Sequence, residues 1–273
     1  MSTFNHEGKN VFYQTDGQGK PLVILNGIMM STKSWNPFVR SLSERNLLIR
    51  LDFFDQGQTD KCEGQSYTQD IQVELLVHLL DHLGLEKAAI VGISYGGEVA
   101  LKFAIAYPDR VDRLVLFNST ACTGPWLRDI GRGWIAAGRT RDGRAYYQTT
   151  IPVIYSPHFY ISKLEWMKKR EQFLIPVFSN PAFLDAMERL TNSAESYDVK
   201  ADLGKVKAKT LIVSAEEDYL TPVDRQQELY QLIPGAEWIK IPIAGHASMY
   251  ERPLLFATLV TGFVNVAETE YQI

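Results

Sequence analysis

Cysteine is scarce: the chain of 273 residues has two, Cys62 and Cys122. Two are too few for a disulfide framework, and they fit a reducing compartment, although one bond between them stays open. Long apolar runs are missing as well, since nothing approaches the ~20 residues that cross a bilayer. The opening MSTFNHEGKN has no apolar stretch, so no secretory leader is expected. These absences point to a cytoplasmic protein with no membrane partner. Positive charge is not in excess: 28 Lys and Arg stand against 32 Asp and Glu, a net charge of −4. A polyanion binder is more usually basic, so no nucleic acid is expected as partner. The 19 Gly and 12 Pro show no period, which excludes collagen-like and low-complexity classes. No His, Cys or Asp cluster has metal-ligand spacing, so no metal is expected.

What is present is ordinary globular composition, 45% hydrophobic and 22% charged. The length suits one α/β domain carrying an insertion. Apolar runs at 22–25, 47–51, 88–91 and 113–117 read as strands. Asp16-Gly17 before the first of them is a hairpin signal. Between them, Gln69 to Leu83 repeats apolar residues at three- and four-residue steps, and Gly84 follows as a stop. Tyr95 to Tyr107 reads as a second helix. This alternation implies a mostly parallel sheet with helices on both faces, and strands buried on both sides are continuously apolar. From about Gly124 to Ser196 the rhythm stops. The segment is rich in Arg, Tyr and Trp and reads as an inserted helical cap. The sheet pattern resumes with strands at 210–214 and near 237–241, a helix near 223–232 and a last helix from about Pro253. The division is therefore 1–124 core, 125–196 cap and 197–273 core.

Gly92-Ile93-Ser94-Tyr95-Gly96 stands directly between a predicted strand and a predicted helix. A serine on so tight a turn is lifted above the sheet edge, and only small residues fit two positions either side. The helix N-terminus behind it offers partial positive charge to a developing oxyanion. The plain alternative is a buried serine in a glycine-rich turn. Such a serine needs a base. His78 and His82 lie on the 69–83 helix, His6 in the N-terminal tail and His158 in the cap. His246, in a loop after the last predicted strand, stands where a parallel sheet places reactive groups. A catalytic histidine needs a carboxylate, and Glu216, Glu217 and Asp218 follow another strand. Asp218 is preferred, with Glu217 the alternative. The order Ser94, Asp218, His246 is that of a hydrolase triad. The oxyanion donors are expected to be the backbone amides of Tyr95 and Ile28.

With these residues in place the chain resembles the α/β-hydrolase superfamily, in its short lid-bearing branch of esterases, lactonases and carbon–carbon hydrolases. The family's His-Gly loop with a later Trp resembles Asn26-Gly27 to Trp35, and its D-x-x-G-x-G-x-S-D stretch resembles Asp52 to Asp60. Its re-entry after the lid resembles Asp198 to Leu203. Asn26 replaces the usual His, Asp55 the first glycine and Thr59 the usual Ser. Asn26 and Asp55 are expected near the pocket mouth. Relatives with an Asp nucleophile, the haloalkane dehalogenases and epoxide hydrolases, do not fit Ser94.

The resemblance implies a cofactor-free serine hydrolase acting on a small-molecule ester or lactone, with a diketone carbon–carbon bond or acyl transfer as alternatives. A non-catalytic small-ligand receptor on the same fold is the reading from another class. Among the cap aromatics, Trp126 and Trp134 are expected over the substrate with Asn26. Five arginines against two aspartates from Arg128 to Arg144 suggest either a solvated face or steering of an anionic substrate.

Overall fold

Six short apolar runs and an N-terminal hairpin form one eight-stranded sheet in the computed structural model, which describes residues 2–267. The strands are β1 (Ser2–His6), β2 (Lys9–Asp16), β3 (Lys20–Leu25), β4 (Asn46–Leu51), β5 (Ala88–Ile93), β6 (Val111–Phe117), β7 (Lys209–Ala215) and β8 (Glu237–Ile241). Their order across the sheet is β1-β2-β4-β3-β5-β6-β7-β8. The pairs β1–β2 and β2–β4 are antiparallel and the rest are parallel. The central strands are sealed on both faces: every residue of β5 is buried, as are Leu22 to Leu25. That is why they read as unbroken apolar runs.

The N-terminus differs from the expectation. It is not a tail but the β1–β2 hairpin, turning through Glu7 (φ 50) and Gly8 (φ 84). Two residues with positive φ make the tight turn whose twist matches its strands. His6 is buried on it, beside Phe54 and His78. The Asp16-Gly17 signal is a turn but not a hairpin between neighbours. β2 pairs with β4, so the chain steps over β4 to start β3. Gly17 (φ 77) is needed because a Cβ there would sit 2.3 Å from the Ser43 carbonyl oxygen.

The helices outside the insertion are α1 (Val39–Ser43), α2 (Asp70–His82), α3 (Tyr95–Ala106), α9 (Val223–Leu232), α10 (Ser248–Glu251) and α11 (Pro253–Asn265). α2 buries Val73, Leu76 and Leu80, and Gly84 (φ 65) ends it. Between β6 and β7 lie α4 (Pro125–Arg139), α5 (Gly143–Ile154), α6 (Pro157–Ser162), α7 (Leu164–Phe178) and α8 (Pro181–Ser193). Pro125, Pro157 and Pro181 each stand in the first turn of a helix, where a missing N–H costs nothing. Three of the five prolines in this segment therefore start helices, and Pro152 and Pro176 stand inside them. Cys62 and Cys122 are free thiols. Among the described residues no helix is long and apolar enough to cross a membrane.

Candidate active site

β5 ends at Ile93 and α3 begins at Tyr95, so Ser94 makes the turn alone, at φ 54 and ψ −121. Side chains rarely adopt that conformation, and it persists only when its surroundings impose it. Here the backbone is crowded on both sides. A Cβ on Gly92 would lie 2.5 Å from the Gly96 oxygen, and one on Gly96 would lie 2.5 Å from the Leu25 oxygen. Ser94 opens onto a cavity of about 430 Å³ between the C-terminal edge of the sheet and the insertion.

His246 lines the same cavity from the loop after β8. Its Nδ1 lies 2.9 Å and 3.0 Å from the two carboxylate oxygens of Asp218. With Nδ1 occupied, Nε2 is the nitrogen left for the cavity. Asp218 is buried and well satisfied. Oδ1 accepts from the Leu220 and Thr221 amides, both at 2.9 Å. Oδ2 accepts from the Thr221 hydroxyl and the Asn118 amide, both at 2.7 Å. Burial alone would raise the carboxyl, but the charge and hydrogen bond of His246 and the Thr221 donors outweigh it and hold the pKa below the ordinary value. Glu216 is exposed and Glu217 half-buried.

Asn118 is a residue that sequence reasoning missed. It follows β6 at φ 50, a conformation asparagine tolerates. Its amide holds Asp218 and its oxygen accepts from the Ser248 hydroxyl at 2.7 Å. The available signal was its position, the first residue beyond a strand at the edge where Ser94 and Asp218 also sit.

The Ile28 and Tyr95 amides donate no backbone hydrogen bond among the described residues, and both residues line the cavity. A Cβ on Gly27 would be 3.7 Å from the Ser94 Cβ, so this loop runs beside the serine. Trp134 lines the cavity too.

Other expected substrate contacts are corrected. Asn26 is fully buried behind the site. It donates to the Leu51 carbonyl at 2.7 Å and to Gln56, and it accepts from Trp35 at 2.7 Å. It braces the loop instead of meeting ligand. Trp126 is 61% exposed, with its indole N–H on the Tyr219 carbonyl, outside the cavity lining. Asp55 is not at a mouth but buried against Arg189 of α8. The basic stretch is largely neutralised by acids. Arg139 pairs with Glu188, Arg141 with Asp185, Arg144 with Glu171, and Arg132 with both Asp129 and Glu195. It is a paired surface rather than a free positive field. His158 is exposed on α6, and His78 and His82 are exposed on α2.

Arg170 of α7 stands apart. It lines the cavity with its guanidinium over the rings of Tyr250, Trp166 and Tyr155, at 5.0, 5.3 and 5.9 Å. Its Nε is sealed without a partner. No carboxylate pairs with it among the described residues.

Glu98, one helical turn beyond Ser94, also borders the cavity and is 4% exposed. Burial pushes its carboxyl up to about 8, against an ordinary 4.5. Its stabilising contribution is therefore complete below the unfolded value and is lost as pH rises through the folded one. Each unit of that window costs about 1.4 kcal/mol. Glu98→Gln removes the titration. Its melting temperature relative to wild type is expected to climb between about pH 5 and about pH 8 and then level off. Thermal melts across that range test this, and a difference that ignores pH would refute it.

The alpha/beta hydrolase fold family model matches residues 20–253. The chain belongs to this family. MGS-M2, an alpha/beta hydrolase enzyme from a Medee basin deep-sea metagenome library, superposes with a TM-score of 0.97 at 52% identity over 100% of both chains. The pimeloyl-[acyl-carrier protein] methyl ester esterase of Nitrosomonas europaea is 29% identical over 91% of this chain and 97% of its own. The enol-lactonase of Burkholderia xenovorans LB400 shares the fold, with a TM-score of 0.85 at 21% identity over 97% of this chain and 100% of its own. As a hydrolase of this family, the chain carries a helical insertion over the site end of the sheet. Among the described residues no group of three or more His, Cys, Asp or Glu is arranged to hold a metal.

Proposed function

We propose that the chain is a serine hydrolase that cleaves a small carboxylic ester or lactone through an acyl-enzyme on Ser94. The observation that carries this reading is the strained Ser94 opening into one cavity with His246, whose other ring nitrogen is held by Asp218. Ser94 Oγ attacks the carbonyl while His246 Nε2 takes its proton. The Asp218 carboxylate keeps the proton on Nδ1 and stabilises the imidazolium. The Tyr95 and Ile28 amides receive the oxyanion, each donor worth about 2.7–4 kcal/mol in such sites. Collapse breaks the carbon–oxygen bond, and the leaving oxygen takes the proton from His246. Water then enters, gives its proton to His246 and attacks the acyl carbon; collapse breaks the bond to Ser94 Oγ, which takes the proton back from His246 as the acid leaves. Every proton and electron pair is handled by these groups, so no cofactor is required.

The named esterase relative supports the bond type. Arg170, with no acid partner among the described residues, supports a substrate with an anionic group at that end of the cavity. A carboxylate-bearing diketone would meet the same residues, so esters, lactones and diketones with and without a carboxylate form the first substrate panel. The test of the central reading is intact mass after treatment with a fluorophosphonate. One adduct is expected on wild type and none on Ser94→Ala. Wild type left unlabelled would refute the activated serine and return the receptor reading.

A further inference from the structure

We propose that Glu98 is a specificity-determining residue whose carboxyl group hydrogen-bonds a hydroxyl of the substrate. The inference rests on the serine-hydrolase reading and names a feature of its substrate class.

A buried glutamate is rare unless it is paired. Glu98 is 4% exposed and forms no ion pair among the described residues. The nearest candidate cation, Lys102 on the next turn of α3, is committed to Asp70 at 2.7 Å. Tyr95 and Tyr197 also face Glu98, but their hydroxyls are engaged elsewhere, Tyr95 with Ser193 and Tyr197 with the Thr120 carbonyl. The remaining neighbour is Gln69, just before α2, whose amide donates to Oε2 at 2.6 Å. Oε1 takes part in no hydrogen bond among the described residues, yet it is not among the sealed partnerless atoms. Glu98 borders the cavity that holds Ser94 and His246, and that cavity is where Oε1 is left to find a partner.

The cavity decides the chemistry of that partner. Of the arginines that line it, Arg132 and Arg139 are already paired with acids, but Arg170 has no acid partner among the described residues, so a cationic group would meet its charge on entering. An anionic group would meet a carboxyl with no cation paired to it. A neutral hydroxyl, donor and acceptor at once, satisfies Glu98 in either protonation state. A buried polar group in a largely apolar wall discriminates substrates, because the analogue lacking the hydroxyl leaves it unpaired. A purely structural Glu98, tying α3 to the start of α2 through Gln69, would have no such preference.

The test uses two ester pairs that differ by one hydroxyl, one on the acyl side and one on the alcohol side. These are p-nitrophenyl butyrate with its 3-hydroxy derivative, and ethyl butyrate with hydroxyethyl butyrate. In wild type at least one pair is expected to favour the hydroxylated ester about tenfold in kcat/KM. Glu98→Met is expected to bring that ratio to about one, and Glu98→Gln, which keeps a donor and an acceptor, to hold it within about threefold of wild type. The ratio is internal to each variant, so a general loss of activity does not mimic the result. The same ratio is read as Kd by calorimetry in Ser94→Ala, with and without Glu98→Met, so the outcome does not depend on turnover. Equal ratios in wild type and Glu98→Met, or no preference in either pair, overturn the inference. A normal fluorophosphonate adduct alongside that result leaves the parent reading intact, whereas an absent adduct on wild type defeats the parent separately.

Discussion

Asp218→Asn is expected to lower kcat by about 10⁴-fold, the loss seen when the acid of such a triad becomes an amide. The cause is the tautomer. The carboxylate accepts from His246 Nδ1 and so leaves Nε2 without a proton, ready to act as base. An amide can present its NH₂ to Nδ1 instead, which drives the proton onto Nε2 and removes the base. Here the substitution has a second cost. The Asp218 oxygens already accept from the Leu220 amide, the Thr221 amide and hydroxyl, and Asn118. Either orientation of the new NH₂ points a donor at donors. A drop in melting temperature is therefore expected alongside the loss of rate. Steady-state kinetics on a p-nitrophenyl ester, taken below the variant's melting temperature, separate the two effects. Glu217→Gln is the matched control, because Glu217 is half-buried with its amide on the Ala244 carbonyl, and it is expected to stay within about twofold of wild type. If Asp218→Asn retained rate within about tenfold while Glu217→Gln lost it, the acid assignment would pass to Glu217.

That comparison shows where sequence reading is strong. Six strands were legible because burial on both faces leaves an unbroken apolar run, as in Leu22–Leu25 or Leu114–Phe117. Ser94 and its flanking glycines were legible because the turn is local: a few adjacent residues decide whether it can form. Asp218 and His246 lie on loops after strands that could be identified, and the sheet topology brings those loops together. What escaped depends on contacts across the fold. β1 alternates one buried and one exposed residue through Phe4 and His6, so it offers no run to see. Asp16-Gly17 gives a turn, but whether its strands become neighbours is settled by where β4 inserts. Asn26 looked like a pocket residue because of its place in the chain, yet its side chain faces Trp35 and Gln56. The arginines of α4, the turn after it and the start of α5 formed a positive stretch in sequence only, since most of their acids come from α7, α8 and the chain beyond.

The ion pair of Asp55 with Arg189 is one such long-range contact, and breaking it from one side is expected to be the most destabilising change outside the site. Asp55 sits in the 52–60 loop at φ 67, a conformation that favours glycine and that aspartate tolerates. The resemblance places a glycine there, so this chain keeps the backbone shape and adds a charge. That charge is fully buried and faces an arginine side chain that is 17% exposed. The pairing is bidentate, Arg189 Nε to Oδ2 at 3.0 Å and its terminal nitrogen to Oδ1 at 2.6 Å. The Tyr67 hydroxyl at 2.6 Å and the Cys62 amide at 3.1 Å complete the shell. Removing one member of a buried pair leaves the other uncompensated and costs about 3–5 kcal/mol. Asp55→Ala is expected to reach that range, with roughly 1 kcal/mol more for alanine in a left-handed conformation. Asp55→Gly should spare the second part only. Arg189→Met should cost less than either, since Tyr67 and Cys62 still serve the carboxylate. The double variant Asp55→Gly/Arg189→Met should recover much of the loss, because no buried charge is then stranded, and the coupling should exceed about 1 kcal/mol. Denaturant melts of the four proteins close the cycle. Additive single effects would mean that the pair contributes nothing as a pair. Because Arg189 belongs to α8 and Asp55 to the core loop, the same cycle read in kcat/KM reports whether holding the insertion against the core matters to turnover. A coupling in stability without one in kcat/KM would confine the pair to folding.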